Sequence, residues 1–500
     1  MIDPTKSANR NLSSSIRQSI PLRAGFRIEL NAALRKRLSK IADKFLDNEP
    51  ALCSTQYFGS QVNCGLHSEG PALLIADQSE IALFGEPESG LLEYRMALLG
   101  EPGDMLVLSH DRNEDFEAYL GDYLGIDDLE VLLAEKSLPR WPLAKRCQHN
   151  TELFEAICRK ARDTGVLSIV TYITSGHIWN LAARIAKETS AQIMVAGPPP
   201  RLAKRVNDKI WFSNLVKDVL GQSALSPSIA VYGPCALAGN VKRLANKTER
   251  LVIKVPNSAG GHGNFSIEAS MFRDLSLTSI RTKLLEILSG LGWAGNFPLK
   301  IELWETSVLV SPSAQIWIPR INEGLPIIEG LFEQVVEGPE GKFIGAIKSQ
   351  LPKSLQQLMA EQAMALAYVF QQLGYYGRCS FDALVSGTSY DDAKLHWIEC
   401  NGRWGGVSIP MTAANRLMPE GEEYQFMVVQ KSDLNLPPRP FQGALNALRD
   451  ILFKQGSREG VVFLTPTSYE SGSGMHYMAI AETLKRARDL SRQTGQRLMD

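Results

Sequence analysis

Between residues 70 and 205 short apolar runs alternate with helical patterns, and few folds accommodate that alternation. PALLIA, DMLVLS, LSIVTYI and AQIMVAG are apolar at consecutive positions, as strands covered on both faces are. Between them, the segments near 152–164 and 178–190 carry apolar residues at helical spacing. Strands alternating with helices at this spacing predict a parallel α/β layer, which Gly197-Pro198-Pro199-Pro200 closes. Ahead of it, Leu30, Leu34, Leu38, Ile41 and Phe45 predict a helix, and the polar residues 1–28 a poorly ordered start.

Beyond the prolines the pattern changes. RLAKRVNDKIWFSNLVKDVLG reads as one helix ending at Gly221. LVIKV (251–255) reads as a strand, SAGGHGN (258–264) as a glycine-rich turn, and FSIEASMF as the returning partner strand. LKIELWE and SPSAQIWIP are further strands, and 355–373 is a long helix. CSFDALV (379–385), the loop SGTSYDDAK and LHWIECN form a hairpin. Leu436-Pro437-Pro438-Arg439-Pro440 is a linker, followed by a helix (444–453), a strand (GVVFLTP) and a helix (478–492). The expected division is therefore 29–205, 206–435 and 436–500.

Five hundred residues exceed what one small core needs. A net charge of −1 gives no global field for nucleic acid or an anionic membrane. No run approaches the roughly 18 apolar residues of a membrane span. The seven cysteines include no C-x-x-C pair, which argues for a reducing compartment and against a cysteine zinc site. With no apolar leader at the N-terminus, the expected location is the cytoplasm.

Three places carry chemistry. In KLHWIECNGRWGG, strict alternation puts Leu395, Trp397, Glu399 and Asn401 on one face, with Arg403 following. Glu399 and Asn401 offer hard oxygens for Mg²⁺, and Arg403 a planar fork for phosphate or carboxylate oxygens. Asp382 shares a face with Ser380 and Leu384, and the hairpin brings it beside Glu399 and Asn401, a set that suits one or two Mg²⁺ ions. In LVIKV, Lys254 sits opposite Leu251, Ile253 and Val255; a lysine on a buried face needs an anionic partner. The following Gly260-Gly261-His262-Gly263 can lay backbone N–H groups over phosphates. Taken singly, these residues equally describe a polar strand face, a solvated hairpin turn and a snorkelling lysine.

Their order is more telling. Lys209, then Lys254 with its glycine loop, then the acidic strand Glu302-Leu303-Trp304-Glu305, then Asp382 and Glu399-x-Asn401-x-Arg403 resembles the ATP-grasp superfamily of carboxylate–amine ligases over about 207–411. The flanks, with GVVFLTPTSYESGSGMHYMAIAETLKRARDL at the C-terminal end, look like the pre-ATP-grasp ligases, a group that includes the pheganomycin peptide ligase. The resemblance implies an α/β and α+β multidomain protein, a Rossmann-like pre-ATP-grasp layer followed by an ATP-grasp fold. It implies that Lys254 and Lys209 neutralise ATP phosphates and that the loop from Ser258 through Gly260, Gly261, His262 and Gly263 closes over them. Glu302, Leu303 and Trp304 would receive adenine and Glu305 ribose. Asp382, Glu399 and Asn401 would hold Mg²⁺, and Arg403 would face the transferred phosphoryl group.

The implied activity is ATP-dependent amide or peptide bond formation between small-molecule carboxylate and amine or peptide substrates, with no nucleic acid or membrane partner and room for a homodimer. Two rivals share these residues: a carboxylase or carboxylate kinase, and a nucleotide-binding regulatory protein. His177, Arg320 and Arg378 are weaker candidates without an evident partner, Trp397 reads as packing, and Ser311 and Ser313 lack the setting of a hydrolase nucleophile.

Overall fold

A computed structural model describes residues 26, 28–67, 69–81, 86–134, 141–258, 263–338, 341–419, 422–432 and 434–499. The start of the chain and Gly260, Gly261 and His262 lie outside the described residues.

All six strands of the first sheet are parallel. Their order is Val62–Cys64, Gln192–Val195, Val166–Thr171, Ala72–Ile75, Met105–Leu108 and Glu130–Leu133. The four apolar runs are strands of this layer, and helices Thr151–Thr164 and Gly176–Thr189 lie between them in sequence. Helix Ala32–Asn48 precedes the layer. The order of connection reverses between Ala72–Ile75 and Val166–Thr171, so a crevice opens at their C-terminal ends, beside Tyr172.

A small antiparallel sheet follows, in the order Ser228–Val231, Leu299–Leu303, Arg250–Lys254, Asn264–Glu268. Its apolar face, with Leu251, Ile253, Phe265 and Ile301, packs on helices Pro234–Ala245 and Leu277–Gly290. FSIEASMF is a strand only to Glu268; Ala269–Phe272 is a 3₁₀ turn that buries Phe272.

The third sheet has nine strands and faces the small one. Gly377–Ser386 pairs with Lys394–Asn401 on one side and with Pro312–Ile318 on the other. Helix Lys353–Gln372 packs against this part of the sheet in a common core. At the opposite end, Gln425–Ser432 pairs with Gly474–Ala481, which pairs with Gly460–Phe463.

Three readings of the sequence need correction. The 201–221 helix is two, Pro200–Val206 and Lys209–Leu220, because the Asp208 carboxylate accepts from Ile210 N and Trp211 N and starts a new helix. The helix expected over 478–492 starts only at Leu484, because residues 478–481 belong to strand Gly474–Ala481; that run is buried throughout and too short for periodicity to decide. Alternation also fails in LHWIECN. Asp382 pairs with Glu399 but Ala383 with Trp397, leaving Ile398 as an extra residue. This bulge turns Leu395 and Trp397 into the core, away from Glu399, and Trp397 Nε1 donates to Gln362 Oε1 at 2.8 Å.

All seven cysteines are free thiols. Among the described residues no helix is long and apolar enough to cross a membrane.

The C-terminal segment is built into the molecule. Phe441 and Phe463 pack on Phe116 and Tyr119 of helix Glu114–Leu124, and Phe463 N donates to the Tyr119 hydroxyl at 3.1 Å. One apolar cluster thus joins the parallel layer to the last sixty residues. A chain ending at residue 435 should fail to keep the fold of the parallel layer, because it uncovers this cluster and an edge of the large sheet. Gel filtration and circular dichroism of that truncation should show aggregated or unfolded material.

Candidate active site

A cavity of about 590 Å³ lies between the two antiparallel sheets and is closed at one end by the parallel layer. Each wall brings charge into a buried setting.

The small sheet contributes a triad. Lys254, Lys300 and Glu302 are all at least 92% buried, and Lys300 pairs in register with Lys254 across adjacent strands. The Glu302 carboxylate bridges them, meeting Lys254 Nζ with one oxygen and Lys300 Nζ, at 2.5 Å, with the other. Lys300 also donates to Ser213 Oγ at 2.7 Å. Burial alone would raise the Glu302 carboxyl; Lys254 and then Lys300 bring it down to about 2. Burial pushes Lys300 below its ordinary value despite Glu302.

Helix Lys209–Leu220 contributes the next cation. Lys209 Nζ lies 3.0 Å from Glu399 Oε2 and donates to Ser258 O at 2.8 Å and Ser258 Oγ at 3.3 Å. Ser258 therefore ties the glycine turn to this lysine. A side chain at Gly263 would fall about 2.1 Å from Ser258 Oγ, so that turn closes only over glycine.

The large sheet contributes the carboxylates. Asp382 lies opposite Glu399, and Ser380 opposite Asn401. Ser313 Oγ donates to Asp382 Oδ1 at 2.6 Å and Asn401 Nδ2 to Asp382 Oδ2 at 2.9 Å. Burial, with the Glu399 charge beside it, pushes the Asp382 carboxyl up to about 7. Burial would raise Glu399 too, but Lys209 outweighs it and holds that carboxyl below the usual range.

Arg403 is held from three directions. Its guanidinium donates to Asn401 Oδ1 and, at 2.5 Å, to Asn207 Oδ1. Gly402 N donates to the same Asn207 oxygen at 3.0 Å, and Trp404 N to Tyr172 O at 3.0 Å. A Cβ at Gly402 would lie 2.4 Å from Val206, so glycine is what lets this strand end approach the helix carrying Asn207.

The structure thus gathers Lys254, Glu302, Leu303, Trp304, Glu305, Asp382, Glu399, Asn401 and Arg403 around one cavity, with Lys209, Ser258 and Gly263 behind its wall. Two expected nucleotide contacts have other partners here. Glu302 is taken up by its lysines, and the Glu305 carboxylate accepts from Ser226, Ser386 and His396, the last at 2.7 Å. Sequence reasoning missed Lys300, which the alternation Leu299-Lys300-Ile301-Glu302 places on the face of Glu302, and also Ser313. It missed Asn207 too, whose partners are 195 and 196 residues away, so no local signal marks it. Arg378 pairs with Glu329 in the core.

Among the described residues no three His, Cys, Asp or Glu side chains gather as a metal site. The donor set is two carboxylates and a carboxamide. It fits a magnesium ion that keeps water and substrate oxygens as its remaining ligands. Burial and the neighbouring Glu399 charge both raise the Asp382 carboxyl, and a cation held between the two carboxylates would favour its ionised form.

Residues 93–186 match the Pre ATP-grasp domain family and residues 444–494 the PGM1 C-terminal domain family. Among solved structures, the biotin carboxylase domain dimer of Hydrogenobacter thermophilus 2-oxoglutarate carboxylase, in complex with MgADP, ADP and bicarbonate, aligns with a TM-score of 0.50. The identity is 14%, over 85% of this chain and 90% of that one. The chain has a pre-ATP-grasp domain followed by an ATP-grasp fold. Campylobacter jejuni biotin carboxylase aligns at 0.49 with 15% identity, over 83% of this chain and 88% of its own. The N5-carboxyaminoimidazole ribonucleotide synthetase of Thermus thermophilus aligns at 0.49 with 15% identity, over 86% and 99%. No curated protein matches the chain.

Glu302→Gln should cost roughly 3–5 kcal/mol in urea unfolding at neutral pH, because it leaves two buried lysines facing a neutral amide. The sign with pH follows from the lowered carboxyl. Glu302 stabilises the fold above its unfolded value of 4.5, and that contribution fades as pH falls toward about 2. Across that window the variant should lose less stability than the wild type; equal slopes would mean that the triad contributes nothing.

Proposed function

We propose that this chain is an ATP-dependent ligase joining a carboxylate to an amine through an acyl phosphate, with release of ADP and phosphate. The observation that carries the reading is the convergence of Lys209, Lys254 and Arg403 on Asp382, Glu399 and Asn401 across one cavity. Three cations facing paired carboxylates suit a polyphosphate with its magnesium ion. A fold of this kind holds MgADP in the Hydrogenobacter protein.

On this reading Lys254 and Lys209 exchange their carboxylate partners, Glu302 and Glu399, for phosphate oxygens, which frees Glu399 for the metal ion. Asp382, Glu399 and Asn401 would hold one or two Mg²⁺ ions, which when bound supply positive charge to the phosphate oxygens. The substrate carboxylate attacks the γ-phosphorus, the bond to the bridging oxygen breaks, and ADP leaves. The amine then adds to the acyl carbon, and the phosphate departs with its C–O electron pair. Arg403 stabilises the charge on the phosphoryl group and on the tetrahedral oxyanion. No protein nucleophile takes part; the work is positioning and charge stabilisation. The flanking segments resemble those of the pre-ATP-grasp peptide ligases, so an amino-acid-like acid and an amino acid or peptide amine are the proposed substrates.

Arg403→Lys should bind ATP nearly as the wild type does and turn over about 100- to 1000-fold more slowly, because an ammonium cannot hold two oxygens in one plane. With a panel of acids, hydroxylamine in place of the amine should yield hydroxamate, and the nucleotide product should be ADP. Release of AMP would overturn the acyl-phosphate route, and turnover that needs bicarbonate would move the reading to a carboxylase.

Glu399→Gln addresses the cation separately. The rise in melting temperature caused by a non-hydrolysable ATP analogue should be larger with Mg²⁺ than with EDTA in the wild type. In the variant that difference should shrink to near zero. An unchanged difference would remove Glu399 from the metal site.

A further inference from the structure

The cavity wall beside Tyr172 is charged differently. Arg95, on the helix Glu86–Ala97 of the first domain, lines the cavity and is only 3% exposed, yet no carboxylate among the described residues pairs with it. Its Nε is buried without a hydrogen-bond partner, and one Nη faces His476 Nδ1. His476 brings no negative charge. Burial, with the Arg95 charge added, holds its imidazole well below the usual range and so neutral, with Nδ1 as acceptor. Burial lowers Arg95 only to about 10, so it stays cationic at neutral pH. A buried guanidinium that among the described residues meets a neutral ring and no carboxylate is costly, and a cation kept in that state at a cavity wall is poised for an anion.

The position is close to the chemistry. His476 pairs in register with Gln430, whose Nε2 donates to Gly406 O at 2.8 Å, three residues beyond Arg403. Tyr172, whose carbonyl fixes Trp404, lines the cavity with Arg95. Ile81, Leu92 and Val407 make the wall between them apolar.

We propose that Arg95 binds a second carboxylate, one that a substrate carries and does not give up in the reaction. Two sources share this chemistry: a dicarboxylic acid whose other carboxyl is activated at Arg403, or an amino acid acceptor whose amine reacts. The assignment of the anion to a substrate rests on the ligase reading above; the binding itself does not.

Calorimetry on the full chain without nucleotide tests it, with succinate, succinamate, alanine and alaninamide as probes. Wild type should bind succinate or alanine saturably and its amide far more weakly. Succinate preference identifies the acid, alanine preference the acceptor. Arg95→Gln should weaken that binding about 10- to 100-fold, the scale of lost charge-assisted hydrogen bonds. Affinity for an ATP analogue should hold. Arg95→Lys, which keeps the charge without the fork, should lie between and serves if Arg95→Gln does not fold. Saturable binding of neither acid, or binding undiminished in the folded variant, overturns the proposal. Neither result depends on turnover, so ADP release can fail or succeed independently of it.

Discussion

Two lysines and one glutamate on neighbouring strands cannot leave water separately. Lys254 and Lys300 sit side by side on the small sheet, and an unpaired ammonium there would cost several kcal/mol or give up its proton. Glu302 makes their burial tolerable. The same compensation recurs across the cavity, where Lys209 answers Glu399. Each wall is therefore compensated from within: Glu302 answers two lysines on one, and Glu399 answers Lys209 on the other. On the ligase reading, an incoming metal–polyphosphate complex would exchange partners within walls that already hold paired charges rather than bring charge into an apolar one. This is why the arrangement can be both buried and receptive.

Arg403 depends on more of the chain than its own strand. Asn207 comes from the junction of two helices and Tyr172 from the end of a parallel strand, so both the first domain and the helix start fix one guanidinium. Small errors in the placement of such a group matter, since a shift of about 1 Å at a reacting centre can cost 100-fold in rate. The parallel layer thus helps to position Arg403 as well as to close the cavity.

Legibility in the sequence followed the range of each interaction. The four parallel strands, the 379–401 hairpin and the opposed faces of LVIKV were readable because periods of 2 and 3.6 are local. Where alternation broke, a residue pair across strands had won: the bulge at Ile398 exists because Trp397 fills the core beside Phe381 while Glu399 must face the cavity. The 201–221 break was partly legible, since Asn207-Asp208 is capping chemistry inside a helical pattern. Strand Gly474–Ala481 was not, because an eight-residue buried run carries no period. At the site, Lys300 was legible from its face, whereas Asn207 and Arg95 act through partners 195 to 381 residues away.

Arg95 also explains an asymmetry in the cavity. Next to the small sheet every described cation has an answering carboxylate, and an arriving anion must displace it. Beside Tyr172 the cation is answered by a neutral ring, and an anion displaces nothing charged. A substrate with a carboxylate at each end, or a carboxylate and an amine, would therefore meet a standing preference for one orientation. Its spare carboxylate would go to Arg95 and its reacting group toward Arg403, which the amide oxygens of Asn401 and Asn207 hold in place. On the ligase reading, that difference would order two small polar substrates before any bond is made; Arg95 and His476 meet where the first domain touches strand Gly474–Ala481 of the large sheet.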